Sequence, residues 1–181
     1  MFVGKKRAGK DIATSFFRSH YGGYTDSFAA PIYEIMYSIQ DKLGIARHKD
    51  RDILKFVGAL GRAIDPNFWI NKLKERVFES AHRNENVFIS DGRFENELNE
   101  MRKMGFILVK IHCSDSIRKN RLLPEDVVND ADISENGYPA DYPFDMVITN
   151  EGTLEEFHNA LWELGNKVTK NEIKPRTVFD S

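Results

Sequence analysis

The chain has 181 residues, enough for one domain with a real core and too few for two comfortable ones. Its formal net charge is −2, so no global field recruits nucleic acid or an anionic membrane, and basic residues matter only by position. The single cysteine, Cys113, excludes an internal disulfide and a cysteine-based zinc cluster; with no apolar run of transmembrane length and no secretory segment at the start, a cytoplasmic compartment is expected.

Met1-Phe2-Val3 reads as a strand end. The chain enters Gly4-Lys5-Lys6-Arg7-Ala8-Gly9-Lys10-Asp11 directly after it, so the first strand is very short or further residues precede it. The pattern is G-x-x-x-x-G-K between a strand and a helix, which is a phosphate-binding arrangement. Gly4 and Gly9 allow close backbone approach, the helix N-terminus offers free amides, and Lys10 reaches the outer phosphates. Asp11 stands where Ser or Thr is usual. A carboxylate there suits Mg²⁺ or the positive end of the helix dipole.

Ile12, Ala13, Phe16 and Phe17 give the first helix, from about Gly9 to His20, its apolar face. Tyr24 to Phe28 is a short strand candidate. Pro31 opens a second helix with Ile32, Ile35, Met36, Ile39 and Leu43 on one stripe. A third helix carries Ile53, Val57, Leu60 and Ile64. Asp65 is read as the N-cap and Pro66 as the first residue of a fourth, striped by Ile70, Leu73, Val77 and Ala81. Val87-Phe88-Ile89 is a short, continuously apolar strand. A helix from Phe94 to Met104 follows, then Phe106 to His112, which scarcely alternates and so reads as a strand covered on both faces.

Ser116 to Leu122 is a short basic helix. Leu123 to Tyr142 lacks periodicity and reads as a lid. Met146-Val147-Ile148 is the last strand. Thr153 caps the last helix with Glu156 completing the box, and the tail from Thr169 reads as loosely ordered. Strands alternating with helices predict an α/β domain with a parallel sheet covered on both faces. Ligands on such sheets bind beyond the strand carboxyl ends. Gly4 to Lys10, Asp91 to Arg93, Cys113 to Arg121 and Asn150 to Gly152 all follow strands and converge on that edge.

Asp91 ends an apolar strand. It is either a carboxylate for Mg²⁺ or a capping residue in a turn. Arg93 beside it can fork onto a phosphate. Arg118 and Arg121 are either cations brought in by lid closure or a solvated helix face, while Arg51 and Arg62 bracket the third helix and together suit an anionic second substrate. No general base is apparent, as expected for an acceptor that is itself an ionised phosphate.

These motifs together resemble the bacteriophage deoxynucleoside monophosphate kinases of the P-loop nucleoside monophosphate kinase superfamily. The resemblance rests on Gly4 to Asp11, on Leu60-Gly61-Arg62 with Asn67-Phe68-Trp69, on Ser90-Asp91-Gly92-Arg93, and on Asp145 to Glu156. It implies one three-layer P-loop domain over 1–181, with acceptor-binding helices at about 30–83, a lid at about 114–143 and a tail at 169–181. It implies transfer of the γ-phosphate of ATP to a deoxynucleoside monophosphate. Gly4, Lys5, Arg7, Ala8, Gly9, Lys10 and Asp11 would hold the ATP phosphates, and Asn150 and Gly152 would border adenine. Asp11 and Asp91 would serve Mg²⁺. Arg51, Arg62, Trp69, Asp91 and Arg93 would form the acceptor site, and Lys10, Arg93, Arg118 and Arg121 would stabilise the transfer. Tyr33 departs from the Lys of the family's A-x-P-x-K segment. The resemblance admits a homodimer and involves no nucleic acid or membrane. Animal phosphomevalonate kinases share the G-K-D loop and the Asp-x-Arg strand end, and a non-catalytic nucleotide-binding regulatory module is the reading from another class.

Overall fold

The computed structural model describes residues 1–121 and 137–175. The elements, in order, are β1 Phe2–Val3, α1 Lys10–Tyr21, β2 Tyr24–Asp26, α2 Ala30–Lys42, α3 Arg51–Ile64 and α4 Phe68–His82. Then come β3 Val87–Ile89, α5 Glu95–Lys103, β4 Val109–His112, α6 Asp115–Asn120, β5 Met146–Thr149, and a last helix, α7, Leu154–Thr169. Among the described residues every strand pair is parallel. One ladder runs β1-β4-β5 and a second joins β2 to β3.

Strand alternation sends neighbouring side chains to two cores. Val3, Ile89 and Leu108 pack with Ile70, Leu73 and Val77 of α4 and Leu98 and Met101 of α5. Phe2, Val109, Ile111 and Ile148 pack on the other side, with Phe16 and Phe17 of α1 and Phe157, Leu161 and Leu164 of α7. The result is helix, sheet, helix, as the alternation of elements predicts. A third cluster, Ile32, Val57 and Trp69, joins α2, α3 and α4 into a helical wall.

Several local expectations change. The strand before His112 is shorter, because its partner β1 has only two residues and the ladder begins at Phe2 opposite Val109. It also alternates: Val109 and Ile111 are buried, while His112 is exposed. Helix α4 starts at Phe68, not Pro66. Asp65 closes α3 instead, its backbone N–H donating to Gly61 O, and its carboxylate accepts from Asn67 N. Helix α6 is one turn and a half, ending at Asn120. Leu60 and Ile64 face solvent, because the side of α3 that meets the body carries Val57, Gly58 and Gly61. The Trp69 ring sits where a Cβ on Gly61 would lie, 2.4 Å from it, and the indole N–H donates to Gly58 O at 2.9 Å. Two small residues thus let α4 approach α3.

The Thr153–Glu156 capping box forms as the pattern predicts. The tail is ordered at first, since Ile173 returns onto the α1–α7 core. The expected lid falls largely on 122–136, and the end of the tail on 176–181, both outside the described residues. Beyond the former, Gly137 bridges to Phe94, and Glu95 N donates to Gly137 O at 3.0 Å.

Candidate active site

The loop between β1 and α1 takes its shape from two glycines. Gly4 has φ +155°, and a Cβ there would lie 2.4 Å from Ile111 O. Gly9 has φ +109°, and a Cβ there would meet Asn150 Nδ2 at 2.5 Å. That Asn150 amide is buried and donates to Ala8 O at 2.8 Å, so the end of β5 braces the loop from behind. The resemblance puts Asn150 beside adenine; it lines the cavity, with its side-chain amide committed to the loop backbone. Lys10 Nζ rests on Lys5 O at 2.9 Å, at the helix N-terminus where the amides of α1 begin.

A cavity of about 980 Å³ opens from this loop. Gly4, Arg7, Gly9, Lys10 and Asp11 line one end, and Asn150, Gly152 and Arg121 border it. The other end is walled by α2 and α3, with Arg51, Arg62, Trp69, Asp91 and Arg93 all on the lining. The strand ends therefore converge as their order in the chain predicts. Lys5, Ala8 and Arg118 do not line it. Ala8 is buried behind the loop. Lys5 pairs with Asp115 at 3.0 Å, and buried Arg118 donates to the same carboxylate at 3.1 Å. Those hydrogen bonds, from Lys5 first, hold Asp115 below the usual carboxylate range. Arg118 is therefore neither on a solvated face nor in the cavity. Arg121 does reach it, with Nη1 donating to Asn150 O at 3.1 Å.

The two carboxylates expected to serve the metal have different partners. Asp91 turns toward β2–α2, its oxygens accepting from Phe28 N at 3.1 Å and Ala29 N at 3.0 Å. Burial raises its pKa, and these amides oppose the rise. The turn-capping reading thus fits its geometry better than the metal one. Asp11 stays exposed at the loop, accepting from Ser90 Oγ at 2.9 Å. A carboxylate with a neighbouring hydroxyl beside a phosphate loop suits Mg²⁺, which prefers few protein oxygens plus water and phosphate. Among the described residues no group of three acidic, His or Cys side chains gathers to hold a metal by itself.

Sequence reasoning gave no site role to Ser90, Lys49, Lys55 and Glu97, all on the lining, where Tyr33 also lies. Lys55 was legible in principle, since it lies four residues from Arg51 and seven from Arg62 on the same helix face. In all, the cavity presents nine basic side chains against three carboxyls, a balance suited to ligands with several negative charges. Tyr33 holds Lys49 Nζ 5.9 Å from its ring centre, and Arg62 lies over Phe94 at 5.2 Å. The Trp69 ring is buried against Gly58 and Gly61 of α3, at the wall of the cavity.

Glu97 is a first-turn acid of α5 that folds back on its own helix start. One oxygen accepts from Arg93 N at 2.7 Å and Phe94 N at 3.0 Å. Burial pushes its carboxyl up to about 7; Asp91 adds to the rise, while the two amides and Arg62 oppose it. A folded pKa above the unfolded value means that the folded chain holds the proton more tightly. Stability from this group is therefore present below about pH 4.5 and lost as pH rises toward about 7. Glu97→Gln keeps an acceptor for the amides and cannot titrate. Relative to the parent it should gain on the order of 3 kcal/mol between about pH 4.5 and about pH 8. Urea unfolding of both proteins across that range checks this; parallel curves would show that Glu97 ionises freely in the fold.

The comparisons with known proteins agree with this geometry. Solved structures of similar fold include shikimate kinase from Aquifex aeolicus (18% identical, 93% of this chain and 96% of that one, TM-score 0.54). Another is the Mycobacterium tuberculosis APS kinase CysC in complex with AMPPNP and APS (14%, 91% and 95%, TM-score 0.56). A third is dephospho-CoA kinase from Campylobacter jejuni (15%, 94% and 97%, TM-score 0.53). They share the α/β kinase fold. Among curated proteins, ORF76 of Ictalurid herpesvirus 1 (strain Auburn) is 26% identical over 97% of this chain and 70% of its own length. ORF77 of the same virus is 31% identical over 61% of this chain, which spans only 48% of it. The deoxynucleotide monophosphate kinase family model matches residues 53–161, which takes in α3 from its third residue on, with Lys55 and Arg62, the Asp91–Arg93 strand end and the Asn150–Gly152 turn. With the phosphate loop opening onto that same cavity, the chain belongs to the deoxynucleotide monophosphate kinase family and is an ATP-dependent kinase of P-loop fold.

Proposed function

We infer that this kinase transfers the γ-phosphate of ATP to a deoxynucleoside monophosphate and releases the diphosphate. The observation that carries the reading is the single cavity with a phosphate loop at one end and a cation-lined helical wall at the other. In-line transfer needs both phosphates held in one water-poor space. Lys10 and the α1 amides would take the ATP phosphates, with Asn150 bracing the loop. Arg62 and Arg93 would take the acceptor phosphate, and Arg51 and Lys55 extend that wall toward its nucleoside. Tyr33, on the lining beside them, is the aromatic side chain at hand for a base, while Phe28 borders the cavity from the core. Mg²⁺, when bound, would neutralise charge between the phosphates, with Asp11 and Ser90 the residues placed to hold its water shell. Arg121, just past the end of α6, would meet the transferred group, and Arg118 would set the position of α6 through Asp115.

The test is ATP consumption by the purified chain against a panel of deoxy- and ribonucleoside monophosphates, with phosphomevalonate included. A deoxynucleoside monophosphate should raise turnover well above the rate with ATP alone. Turnover raised by phosphomevalonate alone would move the acceptor to the other enzyme class. Binding of ATP without any acceptor-dependent turnover would leave a regulatory module.

A further inference from the structure

The chain enters α5 through three successive backbone amides, on Arg93, Phe94 and Glu95. Amides in a row at the start of a helix ordinarily attract an anion. Here the fold has already used them. Glu97 Oε2 accepts from Arg93 N and Phe94 N, and Gly137 O accepts from Glu95 N. A capping box needs only the bond to Phe94 N. The shorter bond, 2.7 Å, goes one residue further out, to Arg93 N. Each of these two residues carries part of the acceptor wall. Arg93 lines the cavity itself. The Phe94 ring lies under the Arg62 guanidinium at 5.2 Å and is backed by Gly137, where a Cβ would come within 2.7 Å of the ring. Glu97 is 7% exposed and lines the same cavity.

We propose, on the reading of Arg62 and Arg93 as the acceptor site, that Glu97 is the positioning residue for the acceptor phosphate. Its one oxygen fixes both the backbone from which Arg93 extends and the ring on which Arg62 rests. Two consequences follow from the geometry. The amides of this turn are taken out of competition for the phosphate, so the ligand meets guanidinium groups there and not the backbone. Guanidinium forks bind by shape as well as charge, so a small displacement of the turn is felt at the phosphate. Asp91 fastens the other end of the same turn, to Phe28 N and Ala29 N. The turn is thus pinned at both ends by carboxyls, and neither has to touch the ligand to place it. Burial pushes the Glu97 carboxyl up, so it offsets the charge of the two arginines less than an ordinary carboxylate would.

Steady-state kinetics of the full chain, with ATP and a deoxynucleoside monophosphate varied in turn, test this. Glu97→Leu removes the accepting oxygen. It should raise the acceptor KM by roughly 10–100-fold, the scale of charge-assisted hydrogen bonds lost or misaligned, and leave the ATP KM near the parent value. Glu97→Gln keeps an oxygen for both amides and should bring the acceptor KM back toward the parent. Glu97→Asp keeps a carboxylate and draws it back by one methylene from the two amides. It should also raise the acceptor KM, and it covers the case in which thermal unfolding shows that Glu97→Leu does not fold. In an Arg93→Ala background, Glu97→Leu should cost less at the acceptor than it does in the parent, because one of the cations it places is gone. A lower Tm with parent-like acceptor KM in the folded variants would make Glu97 a helix cap only and overturn the proposal. Equal rises in the ATP and acceptor KM, or a Glu97→Gln that behaves like Glu97→Leu, would overturn it too. A parent without acceptor-dependent turnover would instead bring down the kinase reading, and this proposal with it.

Discussion

Lys10→Ala should lower the rate of phosphoryl transfer by roughly 10²–10³-fold or more while the fold survives. In this structure the Lys10 ammonium rests on the neutral carbonyl of Lys5 at 2.9 Å. A phosphate oxygen is a charged and stronger acceptor, so the ammonium would move to it when a nucleotide enters the loop. Charge then builds on the transferring group, and a fixed cation there acts mainly on the transition state. The fold does not need it: α1 is held by Ala13, Phe16 and Phe17, which pack with Phe157 and Leu161. Initial rates at saturating ATP, with thermal unfolding as a control, check this. A folded Lys10→Ala protein with near-parent turnover would remove the phosphate loop from the chemistry.

What could be read in the sequence was mostly local. Gly4 to Lys10 carries its own geometry, because two glycines at fixed spacing and a lysine define a loop without reference to the rest of the chain. The parallel α/β order follows from element alternation, and the Thr153–Glu156 box from three residues. Asp91 was ambiguous for the opposite reason. The amides that it binds, on Phe28 and Ala29, lie more than 60 residues away, and no local pattern announces them. Asn150 is similar, since its partner is the Ala8 carbonyl on the first loop.

Helix α3 shows a different limit. Hydropathy finds apolar stripes, but it does not say which one the body covers. Here the covered side includes Gly58 and Gly61, residues that no hydropathy pattern marks as core. Their smallness is the signal, and it is readable only once Trp69 is known to lie against them. Arg118 and Arg121 look equivalent at i, i+3 on a short helix. Three-dimensional neighbours separate them: one is tied to Asp115, the other reaches the cavity.

The second large effect should separate Asp11 from Asp91. Turnover should require Mg²⁺ or Mn²⁺, because Asp11 beside a triphosphate repels it unless a cation lies between them. Asp11 is exposed at the loop and oriented by Ser90. Asp11→Leu should therefore raise the Mg²⁺ concentration for half-maximal rate by roughly 10–100-fold, the scale seen when groups that orient a bound metal are removed. Asp11→Ser restores a hydroxyl and should keep measurable activity. Asp91→Asn should behave differently. Its amide offers one acceptor oxygen where the carboxylate offers two, so either Phe28 N or Ala29 N loses its partner. That costs about 1–3 kcal/mol and loosens the turn that leads into α2 and the acceptor wall. The expected result is a lower Tm and a higher KM for the acceptor, with the Mg²⁺ titration unchanged. Mg²⁺ titrations of the rate in all three variants, with acceptor KM and thermal unfolding beside them, decide the matter. A shifted Mg²⁺ requirement in Asp91→Asn at parent acceptor KM would return Asp91 to the metal, and parent-like titration in Asp11→Leu would take Asp11 away from it.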